Sequence, residues 1–207
     1  RRLIKYIILF ALLFCQGTIL VEGKTTGILL PRDSSYVMRS PDADFLEKYR
    51  KDAHFDYVQE HLRIMSAFYG VLKPMDGITP YRLEMQAKAS IGHYKNLYEF
   101  WGEMLYREVM DDSGIIINLA SKEYSKCIEK YLTPADRYIT ITFCEKSGDK
   151  LITKGTYAKM ARGEMVRYMA ENHIEKPDDI RSFNRLGYVF RGGISSGNEY
   201  IFERIVE

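Results

Sequence analysis

The sequence predicts a single domain of mixed α/β (α+β) class, and three observations carry that expectation. Short apolar runs of strand type are interspersed with helical spacings, without the strict strand-helix-strand rhythm of a doubly wound fold. No internal repeat of solenoid length is present. The 207 residues are 46% hydrophobic and 13% aromatic with 15 glycines and 6 prolines, so the chain can bury an ordinary core and is not linker-dominated.

In chain order, Arg1 and Arg2 lead into Tyr6 to Cys15, an almost wholly apolar run that resembles a signal peptide. It is shorter than the about 20 apolar residues of a spanning helix. No Ala-x-Ala site follows it, and Phe14 stands where a lipoprotein-type box wants a small residue. A buried strand or helix is expected there, with export or anchoring as the alternative. Residues 23–52 carry Pro31-Arg32-Asp33-Ser34-Ser35 and Ser40-Pro41-Asp42 and read as a polar connector. Residues 1–52 thus form an atypical N-terminal segment and 53–207 the domain.

From Phe55, the spacing of Val58, Leu62, Met65 and Phe68 predicts an amphipathic helix ending near Gly70, followed by a turn over Leu72 to Gly77. Asn96-Leu97-Tyr98-Glu99 has the form of a capping box, opening a helix with Phe100, Trp101, Met104 and Leu105 on one face. Ile115-Ile116-Ile117 reads as a buried strand ending in Asn118. Ser121 is placed to cap the following helix, which holds Tyr124, Cys127 and Ile128. Residues 138–143 and 151–153 make a hairpin across Ser147-Gly148-Asp149. Tyr157 to Asn172 is helical, with Ala161, Met165, Tyr168 and Met169 on the core side. Pro177, Asp178 and Asp179 open a second short helix, and Tyr200 and Phe202 alternate in a last strand.

The chemistry-bearing residues narrow the function. Cys15, Cys127 and Cys144 are too few and too far apart for a disulfide framework, and fit a reducing, cytoplasmic compartment in which Cys144 is a small buried hydrophobe. His54, His61, His93 and His173 never stand four apart, so no metal site and no cofactor are expected. Thirty Lys+Arg against 28 Asp+Glu exclude a histone-like global charge. The cations are concentrated instead: Lys150, Lys154, Lys159, Arg162 and Arg167 face the single Glu164 in one window. Helical spacing puts Lys159, Arg162, Gly163 and Val166 on one side. A glycine inside a helix costs about 1 kcal/mol against alanine, so it points to a close approach by a phosphate, another backbone or a neighbouring helix. Such a surface suits salt-sensitive, sequence-tolerant binding of double-stranded DNA; the plainer alternative is a solvated charged face.

Helix, turn and second helix outline a DNA-gripping hairpin, although Lys176-Pro177 supplies one backbone amide fewer than the usual glycine-rich turn. Arg191-Gly192-Gly193 indicates only a loop. No Walker loop or GxSxG elbow occurs, so no catalytic residue is assigned. A small-ligand alternative gathers Arg82, Glu84, Asn118, Ser121 and Tyr124 around an anionic or phosphorylated molecule at the end of the Ile115 strand, where α/β proteins place ligands. Capping and ion pairing account for the same residues without a ligand.

The chain from Phe55 to about Arg204 resembles the peroxide stress YaaA family. The resemblance is carried by Phe55-Asp56-Tyr57, His61-Leu62-Arg63, Tyr69-Gly70-Val71-Leu72-Lys73-Pro74 and Pro80-Tyr81-Arg82-Leu83-Glu84-Met85. It continues through Asn96-Leu97-Tyr98-Glu99-Phe100-Trp101-Gly102, Ile117-Asn118-Leu119-Ala120-Ser121 with Glu123-Tyr124, and Tyr157-Ala158-Lys159-Met160-Ala161-Arg162-Gly163. It implies a cytoplasmic protein of the oxidative stress response that limits free iron and DNA damage. It also implies a DNA-binding α/β fold with a helix-hairpin-helix element and a positively charged cleft, and no membrane. Carried over residue by residue, Lys159 and Arg162 fall in that cleft, with Arg82 and Lys154 behind them; Arg167 of the charged window is a further DNA-binding candidate. Family members begin with a strand bearing an Ile-Ser-Pro-Ala-Lys type motif and a helical region. Residues 1–52 show no match to either, which predicts an N-terminally incomplete fold with apolar surface left uncovered.

Overall fold

The computed structural model describes residues 5–7, 19–21, 24–26, 53–78 and 81–205, with side chains from 54–78 and 81–205. Cys15, the connector residues 27–52 and Pro80 lie outside the described residues.

Strand β1 (Lys5–Ile7) comes from the first apolar run and occupies the middle of the sheet. β2 (Ile19–Val21) and β3 (Lys24–Thr26) form a separate antiparallel pair, so part of the stretch read as connector is ordered as strand. Helix α1 (Ala53–His61) leads without a break into β4 (Leu62–Ser66), which pairs parallel with β1 and antiparallel with β5 (Gly70–Leu72). The expected helix to Gly70 is therefore corrected: it stops at His61. Leu62, Met65 and Phe68 keep a helical interval, but two neighbouring strands satisfy this segment's backbone, and pairing overrides a weak local preference. Gly70 then takes φ +82° to reverse the chain, with the Trp101 ring so close that a Cβ would meet it at 3.0 Å.

The capping box is present at the start of α2 (Leu97–Trp101). Asn96 Oδ1 accepts from the Glu99 N–H at 2.9 Å, while Glu99 Oε2 accepts from the Lys95 N–H at 2.9 Å. Gly102 at φ +50° ends α2, and α3 (Met104–Val109) comes next, so the single helix expected here is two short ones. The change of direction buries Leu97, Leu105 and Val109 and leaves Met104 exposed.

β6 (Ile115–Asn118) and α4 (Lys122–Glu129) form as the sequence predicts, with Tyr124, Cys127 and Ile128 buried. β7 (Arg137–Ser147) and β8 (Lys150–Ile152) make the expected hairpin, turning at Gly148 with φ +60°. α5 (Gly155–Glu171) packs Ala158, Ala161, Met165 and Met169 on the sheet. A 3-10 helix (Pro177–Ser182), β9 (Tyr188–Phe190), a second 3-10 turn (Gly192–Ile194) and β10 (Glu199–Arg204) complete the chain. The sheet order is β5-β4-β1-β6-β7-β10-β9, with β8 beside β7.

Alternation along the strands divides the core in two. Ile117, Ile139, Ile141 and Phe143 meet α5, whereas Ile116 and Tyr138 meet Tyr124, Cys127 and Ile128 of α4. Ile117 and Ile139 are fully withdrawn from water, each worth about 1.5–3 kcal/mol of transfer free energy. Among the described residues, no helix is long and apolar enough to cross a membrane.

Candidate functional site

α5 is helical because its small and apolar residues recur at intervals of three and four, binding one stripe to the sheet. Its other faces carry the cations. Lys159 is exposed and forms no ion pair among the described residues. Arg162, one turn on, is half-buried beside Ala158 and Ala161; its Nε is shut off from water without a hydrogen-bond partner among the described residues. Burial lowers the pKa of this guanidinium, and no carboxylate among the described residues offsets the effect. The pattern alone puts Arg162 wholly on the outer side, whereas the structure sets it at the border of the core.

Gly163 opens onto empty space: a Cβ there would meet nothing within 4 Å among the described residues. Close helix packing as the reason for this glycine is thereby overturned.

Two other predicted contacts are already engaged. Lys154 Nζ lies 2.7 Å from Glu145, a carboxylate at the end of β7 that also receives Arg204 Nη1 at 3.1 Å. Hydrogen bonding from Lys154, opposed by desolvation and aided by Arg204, holds the Glu145 carboxyl below its usual range. Arg167 Nε pairs with Glu171 Oε1 at 2.7 Å, an i,i+4 pair that the sequence could have disclosed. Arg185 closes the network by reaching Glu164 at 2.9 Å and Glu171 at 2.5 Å, so Glu164 too is engaged. The concentrated charge thus reduces to Lys150, Lys159 and Arg162 without ion pairs among the described residues.

The second set of candidates sits elsewhere. Asn118 shares the parity of Ile116 and so faces α4, where its amide donates to Thr140 Oγ1 at 3.3 Å and its Oδ1 accepts from the Ala120 N–H at 2.9 Å. Tyr124 is buried, with its hydroxyl pKa pushed up by desolvation; Glu123, Tyr81 and Glu84 are its charged or ionisable neighbours. Glu84 and Arg82 are themselves exposed. Ser121 occupies the N-cap position of α4 with extended backbone, but its side chain makes no capping bond; its Oγ is buried without a partner among the described residues. The position is legible in the sequence and the missing bond is not.

The two sets do not meet. Lys154, Lys159, Arg162 and Arg167 belong to α5 and its N-cap on one face of the sheet, while Glu84, Asn118, Ser121 and Tyr124 belong to the α4 side.

The element after α5 is a 3-10 helix, entered through His173 at φ +45°, so α5 and its successor do not make a pair of α-helices. Arg191 of the RGG triplet is paired with Glu203 at 3.1 Å. Among the described residues, no three His, Cys, Asp or Glu side chains gather to hold a metal ion. Cys127 and Cys144 are buried free thiols; burial pushes Cys127 up to about 12 and also raises Cys144.

Residues 46–193 match the family model described as peroxide stress protein YaaA. A protein of Agathobacter rectalis described as UPF0246 is 74% identical over 154 residues, covering 74% of this chain and 62% of that protein. A UPF0246 protein of Lachnoclostridium phytofermentans is 49% identical over 178 residues, covering 86% of this chain and 68% of its own length. One from Desulfitobacterium hafniense is 51% identical over 152 residues, covering 73% and 61%. The chain thus spans about three fifths to two thirds of the length of these relatives.

Proposed function

Because the chain belongs to the peroxide stress protein YaaA family, we propose that it acts in the cytoplasm as a DNA-binding protein of the peroxide response, keeping free iron and the DNA damage it drives low. Duplex phosphates would be met by the Lys159, Arg162 and Gly163 face of α5. One observation carries the reading: among the described residues the half-buried Arg162 guanidinium has no counter-charge, and Lys159 beside it forms no ion pair, next to an open glycine. A buried cation without a carboxylate is costly, and an arriving phosphate offsets that cost. Lys154 and Arg167 contribute less, since each would have to leave a carboxylate.

The test is a mobility-shift series on duplex DNA across salt concentrations. Affinity should fall as salt rises, and Lys159→Ala with Arg162→Ala should weaken binding evenly across sequences and lower the salt slope by about two. No binding at low salt, or an unchanged double variant, overturns the proposal. Folding of the variant is checked separately: Arg162→Met should raise the melting temperature, since it removes an uncompensated charge.

The buried, partnerless Ser121 hydroxyl supports a second reading, a small anionic or phosphorylated ligand held, with or without catalysis, beside Asn118, Tyr124 and Glu84. Phosphorylated metabolites that raise the melting temperature of the wild type but not of Ser121→Ala would favour it.

A further inference from the structure

We propose that the turn joining β4 to β5 is a stacking platform for an unpaired base of single-stranded DNA. This shares its ligand class with the function proposed above but stands on different residues. Phe68 leads the exposed large hydrophobic side chains among the described residues, at 57% exposure. Its ring lies 5.2 Å and 32° from that of Tyr81 and 4.9 Å and 81° from that of Tyr69. An exposed phenylalanine on a loose turn could fold its ring away, but this turn is held from beneath. Ser66 Oγ accepts from the backbone N–H groups of Phe68 at 3.2 Å and Tyr69 at 2.9 Å, and hydrogen-bonds the Tyr81 hydroxyl. Trp101 Nε1 donates to the Ala67 carbonyl at 2.9 Å, and the Trp101 ring fills the space in front of Gly70.

The result is a fixed aromatic face turned to solvent. Arg82 adjoins Tyr81, is exposed and makes no ion pair among the described residues. One preorganised ring with a neighbouring cation matches a base and its phosphate, each base offering a π-face whatever its identity. It is too small for a protein partner, which needs about 800 Å² on each side. Bases inside a duplex are already stacked on one another, so the occupant must be unpaired. The turn also lies at the end of the parallel strands where α5 begins, since β4 and β7 run in the same direction.

The experiment compares 2-aminopurine-labelled single-stranded DNA with labelled duplex, using the whole chain. Wild type should quench the analogue's fluorescence on binding. Phe68→Ala should abolish the quenching and weaken single-strand affinity at least about fivefold, with duplex affinity and melting temperature unchanged, while Phe68→Trp should retain both. Equal single-strand binding by Phe68→Ala overturns the platform. Tighter binding of single-stranded RNA of the same sequence, or equal binding of the free 2-aminopurine nucleotide, overturns the assignment to DNA. Lys159→Ala with Arg162→Ala separates the two readings: losing duplex binding while keeping the quenching supports the platform as an independent site.

Discussion

At the scale of the residue, Gly163 and Arg162 show how a local cost can point to a ligand. Gly163 lies in the middle of α5 with room for a side chain, so Gly163→Ala should stabilise the fold by up to about 1 kcal/mol in chemical denaturation. The same change should lower duplex affinity, because the methyl group would stand between the helix backbone and an approaching phosphate. A rise in stability with unchanged affinity would remove this glycine from the proposed interface. Lys159 and Arg162 are visible in the sequence because the two cations recur on one side of a predictable helix. Phe68 is hidden there, since its interval from Met65 suggests a helical face. The state of Ser121 is hidden as well: a position can be read from neighbours, while a hydroxyl's partner depends on the final packing.

At the scale of the element, Glu145 fastens three pieces of chain: the end of β7 that carries it, the N-cap of α5 through Lys154, and the end of β10 through Arg204, whose guanidinium lies 4.0 Å from the Tyr157 ring centroid. Its carboxyl titrates lower in the folded than in the unfolded state, so its contribution is complete above the ordinary carboxylate pKa of about 4.3. It is lost as pH falls through the depressed folded value. Urea midpoints measured from pH 7 down to pH 3 should drop along an acid limb, and Glu145→Gln should start lower at pH 7 and give a shallower limb. Partners far apart in the chain, such as Phe202 beside Phe143, emerge from no local pattern, whereas the β7–β8 hairpin closes over two residues and is legible from its turn. The α2–α3 break escapes a reading by periodicity because Gly102 sits within an otherwise continuous apolar face.

At the scale of the whole molecule, the start of the first apolar run, Tyr6 and Ile7, lies in a strand. β1 lies between β4 and β6, with Tyr6 paired to Leu62 on one side and Ile117 on the other. Those partners are 56 and 111 residues away in sequence, which is why the run suggests a buried strand or helix but does not disclose its neighbours in the sheet. Tyr6→Pro removes a backbone donor from a strand with neighbours on both sides. It should cost on the order of a few kcal/mol and broaden or abolish the cooperative thermal transition. A sharp melt at the wild-type temperature would show that β1 contributes little to the fold.

The sheet also acts as a partition, with the cationic helix on one side and the orphan serine hydroxyl on the other. Damage to either compartment should then be heritable on its own. A random mutant library scored for peroxide survival and for each binding activity should yield two classes of allele, whose altered positions do not overlap and which fall on opposite sides of one wall of backbone.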